Sequence, residues 1–129
     1  MKSYRDLDIY VHSKKLGIEV HRMSMTLPKF ELYETGSQIR RSAKSVTAMI
    51  VEGFARRRYK KDFVKYLVYS IAECDETIVH LDFLYETQSL TDEKKYHELK
   101  ENFILLSKKI NRFTQFVEND FVWRSSDPT

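Results

Sequence analysis

Cysteine occurs once in the 129 residues, at Cys74, so no disulfide can form within the chain. A bridged framework is excluded, and a reducing, cytoplasmic setting is the expectation. Three glycines and two prolines are too few for a sandwich or another loop-rich fold. No run approaches the roughly eighteen consecutive apolar residues of a membrane span, so no membrane partner is expected. The opening M-K-S-Y-R-D-L-D is charged and holds no apolar stretch, so a secretory signal is not expected there. Gly-rich phosphate loops, G-x-S-x-G and zinc spacings are also missing. The composition, 42% hydrophobic and 32% charged, suits long amphipathic helices in one domain.

Apolar spacing places those helices. Ile9, Leu16, Val20, Met23 and Leu27, with Ser13 in the open slot, mark a first helix from Leu7 to about Leu27. Pro28 stops it. Lys29 to Gly36 reads as a connector with a short helical start at Phe30–Tyr33, and Thr35 or Ser37 is the expected cap of the second helix. That helix carries Ile39, Ala43, Val46, Ile50 and Gly53/Phe54, and breaks near Arg58. A third stripe follows at Phe63, Leu67, Ser70/Ile71, Cys74, Ile78, Leu81 and Tyr85, ending near Gln88. Thr91 is the expected cap of a fourth helix, with Asp92 and Glu93 favoured in its first turn. Tyr96, Leu99, Phe103, Leu106, Ile110, Phe113 and Val117 form its stripe. Four long helices with short links predict an all-α, antiparallel up-down-up-down four-helix bundle. It spans 1–119, with 120–129 as a loose C-terminal tail from which Phe121, Val122 and Trp123 should dock.

Charge is the second signal. The net charge is +3 and the pI about 8.9, short of the value above about 9 that marks many nucleic-acid domains. A case for an acidic partner therefore rests on clustering. Arg40, Arg41 and Lys44 flank the second stripe, and Arg56, Arg57, Arg58, Lys60 and Lys61 crowd the break around Tyr59. Cations at a helix C-terminus serve the fold by meeting its last carbonyls, worth about 0.3–1 kcal/mol each. Lys60 and Lys61 open the next helix, where positive charge is mildly unfavourable. Phosphate binding is the functional reading of all eight, since a planar guanidinium suits phosphate.

Other chemistries have weaker support. Glu52 and Glu76 lie near core stripes, and ion pairing to Arg40, Arg41 or Arg56 is the expected explanation. A di-iron bundle needs Glu-x-x-His, which does not occur. Arg5 and His12 have the spacing of a helical ribonuclease pair, but a pattern that loose arises readily by chance. Cys74 falls on the third stripe as a small hydrophobe. No catalytic residue, metal ligand or cofactor site is expected. Eight Tyr, eight Phe and one Trp exceed the needs of one slim bundle, and off-stripe Tyr59, Tyr66, Tyr69 and Tyr85 suit an interface between copies or base stacking.

Y-R-D-L-D-I-Y, then Leu27-Pro28-Lys29, then S-Q-I-R-R-S-A-K-S-V-T-A-M-I-V-E-G-F-A-R resembles the 23S rRNA intervening-sequence four-helix-bundle proteins. Ser37 to Arg41, Ser45, Ala48, Ile50, Glu52-Gly53-Phe54 and Arg56 match the family pattern, and Asp62-Phe63, Leu67, Glu76 and Leu81 continue it. Thr47 stands where the family has proline, Met49 where it has asparagine, His21 for an aromatic, and Ala72-Glu73 for Gly-Ser. These proteins have no established enzymatic activity. They are similar to the accessory variability protein of diversity-generating retroelements, a pentameric barrel that binds a reverse transcriptase and nucleic acid. The resemblance thus implies a non-catalytic homo-oligomer, a homopentamer, with RNA or DNA as partner. The alternative is an accessory scaffold that binds protein only.

Overall fold

The computed structural model describes residues 3–125, so the last four residues of the expected tail, 126–129, lie outside the described residues. Four α-helices run Asp8–Ser24 (α1), Thr35–Ala55 (α2), Lys60–Glu86 (α3) and Glu93–Asn119 (α4). Among the described residues there are no strands. Each helix packs on its neighbours in sequence, and α4 closes the square against α1. This is the expected antiparallel four-helix bundle. Short links force consecutive helices to reverse direction, which leaves α1 and α3 at opposite corners.

Local chemistry sets the ends. A single 3-10 turn at Tyr4–Asp6 precedes α1, with Ser3 and Asp6 bonding each other's backbone. α1 ends at Ser24, three residues before the expected Leu27, and Leu27 is only half-buried against the core. The connector forms a 3-10 turn at Lys29–Leu32. Neither Thr35 nor Ser37 caps α2. That role falls to Glu31, whose Oε1 accepts from Gly36 N–H at 3.0 Å while Oε2 accepts from Ser89 Oγ at 2.6 Å. Glu31 is 3% exposed, and this pair of bonds ties the α1–α2 connector to the α3–α4 link. Gly36 is required there, because a Cβ would lie 2.4 Å from the Glu31 carbonyl oxygen. α3 closes through Gln88 at φ 66°, a left-handed residue that ends the helix. Asp92, not Thr91, caps α4 by accepting from Lys95 N–H at 3.0 Å.

The second stripe is buried as expected at Ile39, Ala43, Val46, Ile50, Gly53 and Phe54. In α3 the inward positions are Thr77 and Leu84, with Ile78 and Tyr85 half-buried beside them. Thr77 tolerates burial because its hydroxyl donates to Glu73 O and shares a 2.8 Å bond with Ser42 Oγ. Tyr85 instead stacks on Tyr96, centroids 4.1 Å apart. In α4, Thr114 takes the inward place expected of Phe113, its hydroxyl bonded to Ile110 O at 2.7 Å. Phe63 anchors one end of the core, edge-on to Phe54, Phe113 and Phe121. Phe121 and Trp123 therefore dock as expected, while Val122 stays 67% exposed.

Candidate nucleic-acid interface

The basic turn lies between α2 and α3. α2 ends at Ala55, and the backbone turns through Arg56–Tyr59 with N–H bonds from Arg56 and Arg57 to Gly53 O and Phe54 O. Gly53 permits the tight junction, since a Cβ there would sit 3.2 Å from Phe63 O. Arg56 donates from Nη1 to Glu52 Oε2 at 2.7 Å and Glu52 O at 2.9 Å, and its guanidinium covers Tyr66 at 4.5 Å. Arg57 turns inward. It is 4% exposed, lies 4.2 Å over Phe54 and donates to Phe54 O at 3.1 Å. Its Nε is buried without a partner among the described residues, so the side chain is withdrawn from solvent. Meeting the last carbonyls of α2 accounts for both residues.

Arg58, Lys60, Lys61 and Lys65 stay outside, and among the described residues none pairs with a carboxylate. Arg58 lies over Trp123 at 4.8 Å, which the folded-back tail delivers. Lys60 donates weakly to Glu118 O, near the end of α4, at 3.4 Å. Lys65 is a cation that the sequence pattern did not single out. It faces Tyr66 and Tyr69 at 5.8 and 5.9 Å. Tyr59 is 62% and Tyr69 45% exposed. The surface alternates cations with open rings.

The other three candidate residues do not join it. Arg40 begins about 24 Å from Arg56 along α2, sixteen residues at 1.5 Å each. Its guanidinium donates to Leu32 O at 2.9 Å and Ser24 Oγ at 3.1 Å, bolting the α1–α2 connector to α2. Arg41 borders a polar hollow between α2 and α3 with Glu73 and Glu76. Burial, with Glu76 beside it, raises the Glu73 carboxyl above its usual range. Lys44 Nζ lies 3.0 Å from His21 Nδ1, on a groove between α1 and α2 of about 740 Å³. Gly17, Ala48 and Val51 line this groove together with Lys14, Arg22 and Lys44. Nothing in one helix's spacing could have revealed it. Thr47, the family's proline position, borders it and donates to Ser13 Oγ at 2.9 Å.

The titratable groups that the sequence offered for other chemistries are engaged elsewhere. Glu52 pairs with Arg56, as one expected option had it, and Glu76 Oε1 lies 3.5 Å from His80 Nε2. His12 Nδ1 meets Lys109 Nζ at 3.3 Å, while Arg5 covers Tyr4 at 4.7 Å. Among the described residues no three His, Cys, Asp or Glu side chains gather to hold a metal. Burial pushes the Cys74 thiol up to about 12, so it is a poor nucleophile. None of the described helices is long and apolar enough to cross a membrane.

Comparison with known proteins agrees with this architecture. No curated protein matches the sequence. A crystal structure of a protein of unknown function from the S23 ribosomal protein family of Bacteroides thetaiotaomicron superposes with a TM-score of 0.71 at 20% identity. The match covers 83% of this chain and 95% of that one, and at that identity it establishes the shared fold. Neither that description nor the family's names an enzymatic activity. The family model for the 23S rRNA-intervening sequence protein matches residues 5–112, from the turn before α1 through most of α4, and the chain therefore belongs to that family.

Proposed function

We propose that this chain is a non-catalytic, self-associating bundle that binds RNA through the α2–α3 turn. The observation that carries the reading is the set of cations Arg58, Lys60, Lys61 and Lys65, which pair with no carboxylate among the described residues, interleaved with exposed Tyr59 and Tyr69. Cations track a phosphate backbone, and open rings stack on unpaired bases at about 1–3 kcal/mol per base. Phosphate contacts narrow to these four cations, with Arg56 beside them. Arg40 and Arg57 serve the fold, and Arg41 and Lys44 lie on other faces. A ring of copies, five by the resemblance, would sum these turns into a field that a net +3 does not supply alone. A buried, unreactive Cys74 suits a cytoplasmic protein.

Fluorescence anisotropy with single-stranded RNA, structured RNA and duplex DNA across a salt series tests the proposal. Binding should favour RNA with unpaired bases and weaken steeply with log salt. Reversal of Arg58 and Lys61 to Glu should lower affinity at least about tenfold while the bundle stays folded. Absence of binding at low salt overturns the reading. A protein scaffold then becomes the better account, and exposed apolar residues such as Val11 and Ile18 on α1 and Val79 and Phe83 on α3 favour it.

A further inference from the structure

Two helices at opposite corners of the bundle each carry an apolar stripe that no described residue covers. On α1, Ile9, Ser13, Leu16, Val20 and Met23 face inward. Directly opposite stand Val11, Ile18 and Met25, seven residues apart and 57%, 42% and 55% exposed. Lys14, Lys15 and Arg22 interleave with them, all exposed and, among the described residues, without an ion-pair partner. On α3 the outward stripe is Val68, Ala72, Val79 and Phe83, the three larger residues 49%, 48% and 59% exposed. Here the interleaved charges are Asp75, Glu76 and Glu86, also exposed, while Lys65, a cation on this face, stands at its N-terminal end, a turn before Val68. Among the described residues Asp75 and Glu86 make no ion pair, while Glu76 lies 3.5 Å from His80 and borders the hollow that Arg41 also lines.

From these faces we infer that α1 of one copy docks against α3 of the next, in a head-to-tail interface with cations on one side and carboxylates on the other. This rests on the self-association proposed above and names its surface. A two-fold dimer built on either helix would oppose like charges, α1 cations to α1 cations or α3 carboxylates to α3 carboxylates. Pairing unlike faces avoids that. Because the two faces lie on opposite sides of the bundle, each docking leaves one of each kind free, and the contact propagates into a ring or a filament.

The register follows from spacing. Both helices run in the same direction through the bundle, so α1 and its neighbour's α3 can lie parallel. Lys14, Lys15 and Ile18 have the spacing of Asp75, Glu76 and Val79. Aligning the two triplets sets both lysines level with the two carboxylates and Ile18 level with Val79. The same alignment brings Phe83 level with Arg22, on the lip of the α1–α2 groove. An exposed aromatic beside a groove of about 740 Å³ is the pattern of an interface anchor.

The test is sedimentation velocity on the full chain and two variants, Lys14→Glu/Lys15→Glu and Asp75→Lys/Glu76→Lys. All four residues are exposed, so circular dichroism should show both variants folded. Each variant alone should associate about a hundredfold more weakly than the unaltered chain, because two attractive contacts become repulsive. An equimolar mixture should reassociate, since each variant then presents what the other lacks. If the unaltered chain associates and neither reversal disturbs it, this interface is overturned while self-association stands. An unaltered chain that remains monomeric overturns both.

Discussion

The two ends of α2 use the same kinds of residue to opposite effect. At its N-terminal end, Glu31 is 3% exposed, and its two oxygens accept from Gly36 N–H and Ser89 Oγ. Arg40 donates to both Ser24 and Leu32 across the same joint. At its C-terminal end, past the inward-turned Arg57, Arg58, Lys61 and Lys65 make no ion pair among the described residues. A guanidinium has five donors wherever it stands. What differs is how many carbonyls and hydroxyls the surrounding chain brings within reach. The closed end converts charge into rigidity, and the open end leaves donors for a ligand.

The hardest test of the closed end is Gly36→Ala. The new Cβ would meet the Glu31 carbonyl at 2.4 Å, forcing the connector away and breaking the capping bond. Chemical denaturation should report a loss of about 3 kcal/mol. Arg40→Ala should follow at about 2 kcal/mol, by stranding the bonds to Leu32 O and Ser24 Oγ. A loss below about 0.5 kcal/mol in both would erase the distinction between the ends. Arg57→Met sharpens it from the other side. Among the described residues that cation is buried without a carboxylate and with Nε unpartnered, so an apolar chain of similar length should change stability by less than about 1 kcal/mol. Smallest should be Arg58→Glu/Lys61→Glu, within about 0.5 kcal/mol, because neither residue holds the fold.

Acid separates the two ends as well. Burial alone would raise Asp82, but hydrogen bonds from Tyr96 and Lys100, both to Oδ1, outweigh it and hold the carboxyl below its usual range. Asp8 is held low by Lys109, and its side chain is 75% exposed. Both contribute stability that is present above the unfolded carboxylate range and lost as pH falls through the folded one. Burial and Lys109 lower His12, so the unfolded chain takes up that proton first and stability begins to fall below about pH 6.5. Glu73 is raised and has the opposite sign, gaining a little as the others lose. A pH titration of melting temperature should therefore fall on acidification. Asp82→Asn should flatten that fall more than Asp8→Asn, because the exposed pair is the better screened.

The helices and their inward faces were legible because periodicity is local: four core positions of α4 from Tyr96 to Leu106 repeat every three or four residues, whatever lies across from them. The basic turn was legible for the same reason, as a run of cations at a break in that period. Glu31 reads as one more connector carboxylate until folding sets it against Gly36 and against Ser89, fifty-eight positions away. Trp123 joins the basic turn only because the tail folds back beside Arg58. The inward place of Thr77 instead of Ile78 likewise involves Ser42, on another helix, which shares a bond with the buried hydroxyl.

Sequence alone determined the class, the four helices and the place where cations concentrate, since each rests on spacing along one chain segment, and its motifs carried the resemblance to the family. Tertiary structure decided which cations are free. Arg57 and Arg58 are neighbours of identical chemistry, yet one lies under Phe54 and the other faces outward beside Trp123. Phe54 is local to Arg57, but Trp123 comes from the tail beyond α4, and only folding brings it beside Arg58.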